Sequence, residues 1–98
     1  MLEVRQTAIF ANWFKGLKDR RAKGLIQACI DRMAIGNFGD VAPIGEGVSE
    51  LRIHYGPGYR VYFVKRGQVV VILLSGGDKN SQNSDIKKAK ELAKQLED

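Results

Sequence analysis

The stretch Glu50-Leu51-Arg52-Ile53-His54-Tyr55-Gly56-Pro57-Gly58-Tyr59-Arg60-Val61-Tyr62-Phe63 carries two runs of period two around a turn. From Val48, Leu51 and Ile53 point one way while Glu50, Arg52 and His54 point the other, as in a half-buried strand. Tyr55-Gly56-Pro57-Gly58 is a turn cluster, and Tyr59 to Lys65 resumes as an aromatic and β-branched strand, so the two runs form a hairpin. With Leu51, Ile53, Val61 and Phe63 on the buried side, Arg60 and Tyr62 fall on the opposite side beside Arg52 and His54.

Downstream, Arg66-Gly67-Gln68 supplies another turn and Val69 to Leu74 is apolar on both faces, which predicts an interior strand at the centre of the sheet. Ser75-Gly76-Gly77-Asp78-Lys79-Asn80 turns the chain into a last helix capped near Ser81 or Ser84. Its apolar face is Ile86, Ala89, Leu92, Ala93 and Leu96, and its lysines lie elsewhere. Upstream, Leu2 to Thr7 alternates as a short first strand. Thr7 caps a helix through Ile9, Phe10, Trp13, Phe14 and Leu17, and Asp19 caps a second that runs from Ala22 to Met33 and stops at Gly36. Asn37 to Gly47, with three glycines and Pro43, reads as a connecting loop. The expected order is β-α-α-β-β-β-α: an α+β fold with a small, mostly antiparallel sheet, a helical hairpin packed on it and a C-terminal helix.

The chain of 98 residues has room for one domain, 1–98. Its 44% hydrophobic and 28% charged residues exclude a disordered tail or a low-complexity fibre. No apolar run approaches the ~20 residues of a membrane span, and the first residues lack the basic-then-apolar order of a secretory leader, so the expected location is cytoplasmic, without a membrane partner. One cysteine, Cys29, and one histidine form neither an internal disulfide nor a four-ligand zinc site, and no cofactor is implied. The net charge of +5 favours a polyanionic partner, and the basic excess per residue is largest over residues 48–79.

Within that basic third, Arg52, His54, Arg60 and Tyr62 share a strand face, and Lys79 can bend toward it after the Gly-Gly turn. The expectation is a patch of guanidinium, ammonium, imidazole and phenol groups with no carboxylate among them, suited to an RNA backbone. RNA carries its own nucleophile, the 2′-hydroxyl, so cleavage needs a proton acceptor, a donor for the leaving oxygen and positive charge on the transition state. His54 is the candidate acid or base, and Arg52, Arg60 and Lys79 the candidate phosphate ligands. Tyr55, Tyr62 and Lys65 are candidate RNA contacts. The plainer reading makes His54 an exposed strand residue and pairs Arg52 and Arg60 with Glu50 and Asp78 in a surface network.

Taken with Leu73-Leu74-Ser75-Gly76-Gly77-Asp78-Lys79-Asn80-Ser81-Gln82 and Asp85-Ile86, the hairpin resembles the RelE/ParE toxin superfamily, and within it the HigB-like addiction module killer proteins. The resemblance spans nearly the whole chain. It implies a RelE-like fold and the toxin of a type II toxin–antitoxin module, held inactive by a cognate antitoxin protein. It further implies a metal-independent endoribonuclease, an mRNA interferase that inhibits translation by cutting mRNA on the ribosome. By position, Arg52, His54, Arg60 and Lys79 match the basic residues such toxins use, while Asp85 stands where RelE has a catalytic tyrosine. Two alternatives stay open: a ParE-like inhibitor of DNA gyrase that acts by protein binding, and a non-toxic nucleic-acid-binding module.

Overall fold

In the computed structural model, which describes residues 1–96, the order is β1 (Glu3–Gln6), α1 (Ala8–Gly16), α2 (Arg20–Ala34), β2 (Val41–Gly45), β3 (Val48–Ile53), β4 (Tyr59–Arg66), β5 (Val70–Gly77), a 3-10 turn (Lys79–Ser81) and α3 (Gln82–Gln95). The last two residues of the expected domain lie outside the described ones. The five strands form one sheet in the order β1-β5-β4-β3-β2. β1 runs parallel to β5, and every other neighbouring pair is antiparallel, which agrees with the expected α+β class. Interior β5 lies between β1 and β4, and β4 is the middle strand.

Both helix caps follow their sequence signals. The Thr7 side chain accepts from the Phe10 amide and donates to the Leu74 carbonyl at 2.6 Å, so it starts α1 and ties that start to β5. The Asp19 carboxylate accepts from the amides of Arg21 and Ala22 to begin α2, and also from the Tyr55 hydroxyl at 2.9 Å. The two helices cover one face of the sheet. There Phe10, Ile26, Ile30 and Met33 pack on Leu51, Ile53, Val61, Phe63, Val71 and Leu73.

On the other face α3 seats Ala89 and Ala93 over Val48, Tyr62, Val64 and Leu74. The sheet is therefore sandwiched, which explains why β5 is apolar on both sides. This corrects one sequence expectation: the face bearing Arg60 and Tyr62 is not open but is roofed by α3 over much of its length.

A second correction concerns Asn37 to Gly47. Val41–Gly45 of that stretch is an edge strand, paired antiparallel with β3 through Val41 opposite Leu51 and Ala42 opposite Glu50. Pro43 is tolerated because an edge strand leaves one side of its backbone unpaired. The turn into β3 puts Glu46 and Gly47 at φ 56° and 79°, the left-handed pair of a two-residue hairpin loop.

Gly76 and Gly77 are also strand residues rather than a turn. They close β5, and each meets a different layer. A Cβ on Gly76 would lie 2.2 Å from the Trp13 ring, and one on Gly77 would lie 1.8 Å from the Asp85 carboxylate. Successive strand residues face opposite sides, so each glycine gives up its side chain to a different helix.

Candidate nucleic-acid interface and proton-transfer site

The β3–β4 hairpin sets Arg52 directly opposite Arg60, and Arg60 in turn sits opposite Gly77 at the end of β5. Two guanidiniums side by side repel unless an anion separates them. Here the anion is Glu50, only 1% exposed. Its Oε1 accepts from Arg52 Nε at 3.2 Å, and its Oε2 accepts from the Gln82 amide at 2.8 Å with Arg60 Nε 3.7 Å away. The pairing with Glu50 follows half of the plainer sequence reading, with the carboxylate buried rather than superficial, whereas Asp78, the other expected partner, accepts from the amides of Asn80 and Ser81. The carboxylate-free patch is thereby corrected: a buried Glu50 lies between its arginines.

A second carboxylate, Asp40, stands just before β2 and was not among the expected site residues. Its carbonyl accepts from the Arg52 amide at 2.9 Å, which anchors the backbone beside β3. Its side chain reaches His54, with Oδ2 2.5 Å from Nε2, while Oδ1 is 3.8 Å from the Arg52 guanidinium. The His54 hydrogen bond, helped by Arg52, holds the Asp40 carboxyl below its usual range. The imidazole is 75% exposed, so solvent and substrate reach it. Recognising β2 would have exposed Asp40, because a strand pairing Val41 with Leu51 brings residue 40 beside residue 52.

Lys79 completes the same end of the sheet. Its amide donates to the Pro57 carbonyl at 3.4 Å, and its Cβ lies against Gly58 of the β3–β4 turn. The Asp78 carboxylate accepts from the amides of Asn80 and Ser81 and so fixes the 3-10 turn that presents Lys79. Arg52, His54, Arg60 and Lys79 thus border one hairpin end. His54, Arg52 and Lys79 have open faces, while Arg60 is held inward with 14% of its side chain exposed. Beside His54 a cleft of about 270 Å³ opens between α2 and β3, lined by Cys29, Arg32, Phe38, Arg52 and Tyr55.

The three expected RNA contacts fare differently. Tyr62 is fully buried beneath α3 and cannot stack on a base, which corrects its expected place. Burial, and next the nearby Glu50 charge, push its phenol far above the usual range. Lys65 follows the parity of Val61 and Phe63 onto the face of α1 and α2, where its Nζ lies 5.4 Å from the Phe38 ring centre, away from the hairpin end. Tyr55 remains at the cleft, its hydroxyl held by Asp19 and its ring under the Arg21 guanidinium. Asp85 is committed to its own turn: the Ser81 hydroxyl donates to it at 2.5 Å.

A family model for phage derived proteins matches residues 12–97, which include every residue of this site. The chain belongs to the Phage derived protein Gp49-like (DUF891) family. That family is associated with toxin–antitoxin, or addiction, modules. An uncharacterized protein of Haemophilus influenzae is 48% identical over 95 residues, covering 97% of this chain and 96% of the relative.

In this Gp49-like chain no group of three His, Cys, Asp or Glu side chains gathers as a metal-ligand set among the described residues, and no described helix is long and apolar enough to cross a membrane. What the hairpin end offers is a solvent-facing imidazole on a carboxylate beside Arg52, with Arg60 held inward by Glu50 and Lys79 against the hairpin turn. Such a set can grip a phosphodiester and move one proton.

Proposed function

We propose that this protein is the toxin of a type II toxin–antitoxin module and acts as a ribosome-dependent mRNA endonuclease that uses the RNA's own 2′-hydroxyl as nucleophile. The observation that supports this most is the exposed His54 held by Asp40 next to Arg52, at the end of a hairpin that also carries Arg60 and Lys79. The family's association with addiction modules supports the same reading, as does the resemblance of the hairpin sequence to HigB-like proteins.

In the proposed reaction His54 takes the proton of a ribose 2′-hydroxyl and the 2′-oxygen attacks the adjacent phosphorus. The bond from phosphorus to the 5′-oxygen breaks, and that oxygen takes a proton from solvent. The products are a 2′,3′-cyclic phosphate and a 5′-hydroxyl. Arg52 and Lys79 neutralise the charge gathering on the phosphoryl oxygens. Arg60, held inward by Glu50, sets the position of the β4 side of the cradle. The antitoxin partner would mask this cationic hairpin end with an acidic segment.

The test adds purified protein to a translating extract and maps transcript ends. Cuts in mRNA that end in cyclic phosphate, lost about 100-fold or more in His54→Ala, are expected for removal of a general base. Intact transcripts would refute the nuclease, and intact transcripts together with blocked DNA supercoiling would assign a gyrase inhibitor instead. His54 is exposed, so its alanine variant keeps the fold.

A further inference from the structure

We infer that Asp40 is the positioning residue of the site: it holds the neutral His54 imidazole as its Nε2–H tautomer and leaves Nδ1 as the atom that accepts the proton. This rests on the nuclease reading of His54 and adds to it which nitrogen works and what fixes it.

An ionised carboxylate only accepts hydrogen bonds, so the nitrogen facing it must donate. Nε2 of His54 lies 2.5 Å from Asp40 Oδ2. When the ring is neutral, its single N–H is therefore on Nε2 and the lone pair is on Nδ1. Asp40 stays ionised because the His54 hydrogen bond and the positive charges of Arg52 and Arg60 favour its charged form.

Asp40 is itself held through both its backbone and its side chain. Its backbone carbonyl is tied to the Arg52 amide, and its second oxygen faces the Arg52 guanidinium. The charged groups around the imidazole are Asp40 in contact, Arg52 beside it, Arg60 across the hairpin and Arg32 on the far wall of the cleft. An ion pair this exposed adds little to folding. Its effect is on the ring's tautomer and orientation, which in an unrestrained exposed histidine are both free.

His54 is the chain's one histidine, so imidazole spectra report it alone. Nitrogen-15 NMR, taken at the alkaline end of a pH series where the imidazole nitrogen shifts no longer change, reads the neutral ring. The intact protein is expected to show a protonated Nε2 whose proton exchanges slowly with water, and an unprotonated Nδ1. In Asp40→Ala the slow exchange is expected to disappear and both tautomers to be populated.

Asp40→Asn retains the shape but offers an amide that can donate to Nε2, so it is expected to raise the Nδ1–H form. In the cleavage assay both variants are expected to lower kcat about 10-fold or more with KM within about twofold, as for loss of an interaction made in the transition state. The thermal midpoint is expected to stay near that of the parent. A parent protein with the proton on Nδ1, or variants with unchanged tautomer and kcat, would overturn the inference while leaving the nuclease standing. A parent that cuts no RNA would overturn both.

Discussion

Glu50 is an acid placed where acids are rarely found, at 1% exposure between a sheet and a helix. It is tolerated because Arg52, Arg60 and Gln82 all face it. Removing one member of a buried ion pair strands the other, so Glu50→Ala is expected to cost about 3 kcal/mol of stability, read from the urea midpoint. Tyr62, behind it, is the converse case. Its hydroxyl is buried without a hydrogen-bond partner among the described residues, so Tyr62→Phe is expected to be neutral or stabilising by up to about 1 kcal/mol. Because the folded phenol titrates above its unfolded value, its share of stability is complete below pH ~10 and lost as the pH rises beyond that. Urea unfolding of the parent should therefore weaken above pH 10, and Tyr62→Phe should flatten that decline. Nothing in the local sequence reveals that Tyr62 is covered: alternation tells which side chains share a face, not whether a distant helix closes over them.

At the scale of elements, short-range signals were the legible ones. Thr7 and Asp19 start their helices as their side chains allow, and the β3–β4 hairpin follows from alternation and the Gly-Pro-Gly turn. Thr7→Ala removes both the cap of α1 and the bond to Leu74, and a loss of about 1–2 kcal/mol in chemical denaturation is expected. β2 was hidden because Pro43 and a loop of Glu46-Gly47 do not look like a strand and its turn. Glu46 adopts a left-handed backbone that glycine or asparagine usually fills, and it pairs with Lys90 and Lys94 of α3. The Gly76-Gly77 pair looks like a turn in sequence, yet its purpose is close approach of Trp13 and Asp85 to β5. Gly76→Ala drives a methyl into the indole, for which a loss of about 1–3 kcal/mol is expected from the same denaturation measurement.

For the molecule as a whole, two layers of helix clasp one sheet and leave a single hairpin end carrying Arg52, His54, Arg60 and Lys79. The α+β class was readable because helical and strand periods occur in separate blocks. The site was only partly so: Glu50 was legible as a partner of the arginines but not as a residue buried under α3, and Asp40 stands at the approach to a strand that looked like a loop. Asp19 and Asp40 both titrate lower when folded, Asp19 through Tyr55 and its cap amides and Asp40 through His54 and Arg52. Their contribution is present above the ordinary carboxylate value of ~3.9 and lost as pH falls through the lower folded values. A urea midpoint steady from about pH 7 to 5 and declining below about 4 is the expected profile. The parallel pairing of Glu3–Gln6 with Val70–Leu73 has another outcome, for synthesis. The first strand made must wait, unpartnered, until β5, the last strand of the described residues, has been translated. A nascent chain thus carries the arginine-bearing hairpin in an unfinished sheet until Val70–Leu73 has emerged to receive the first strand.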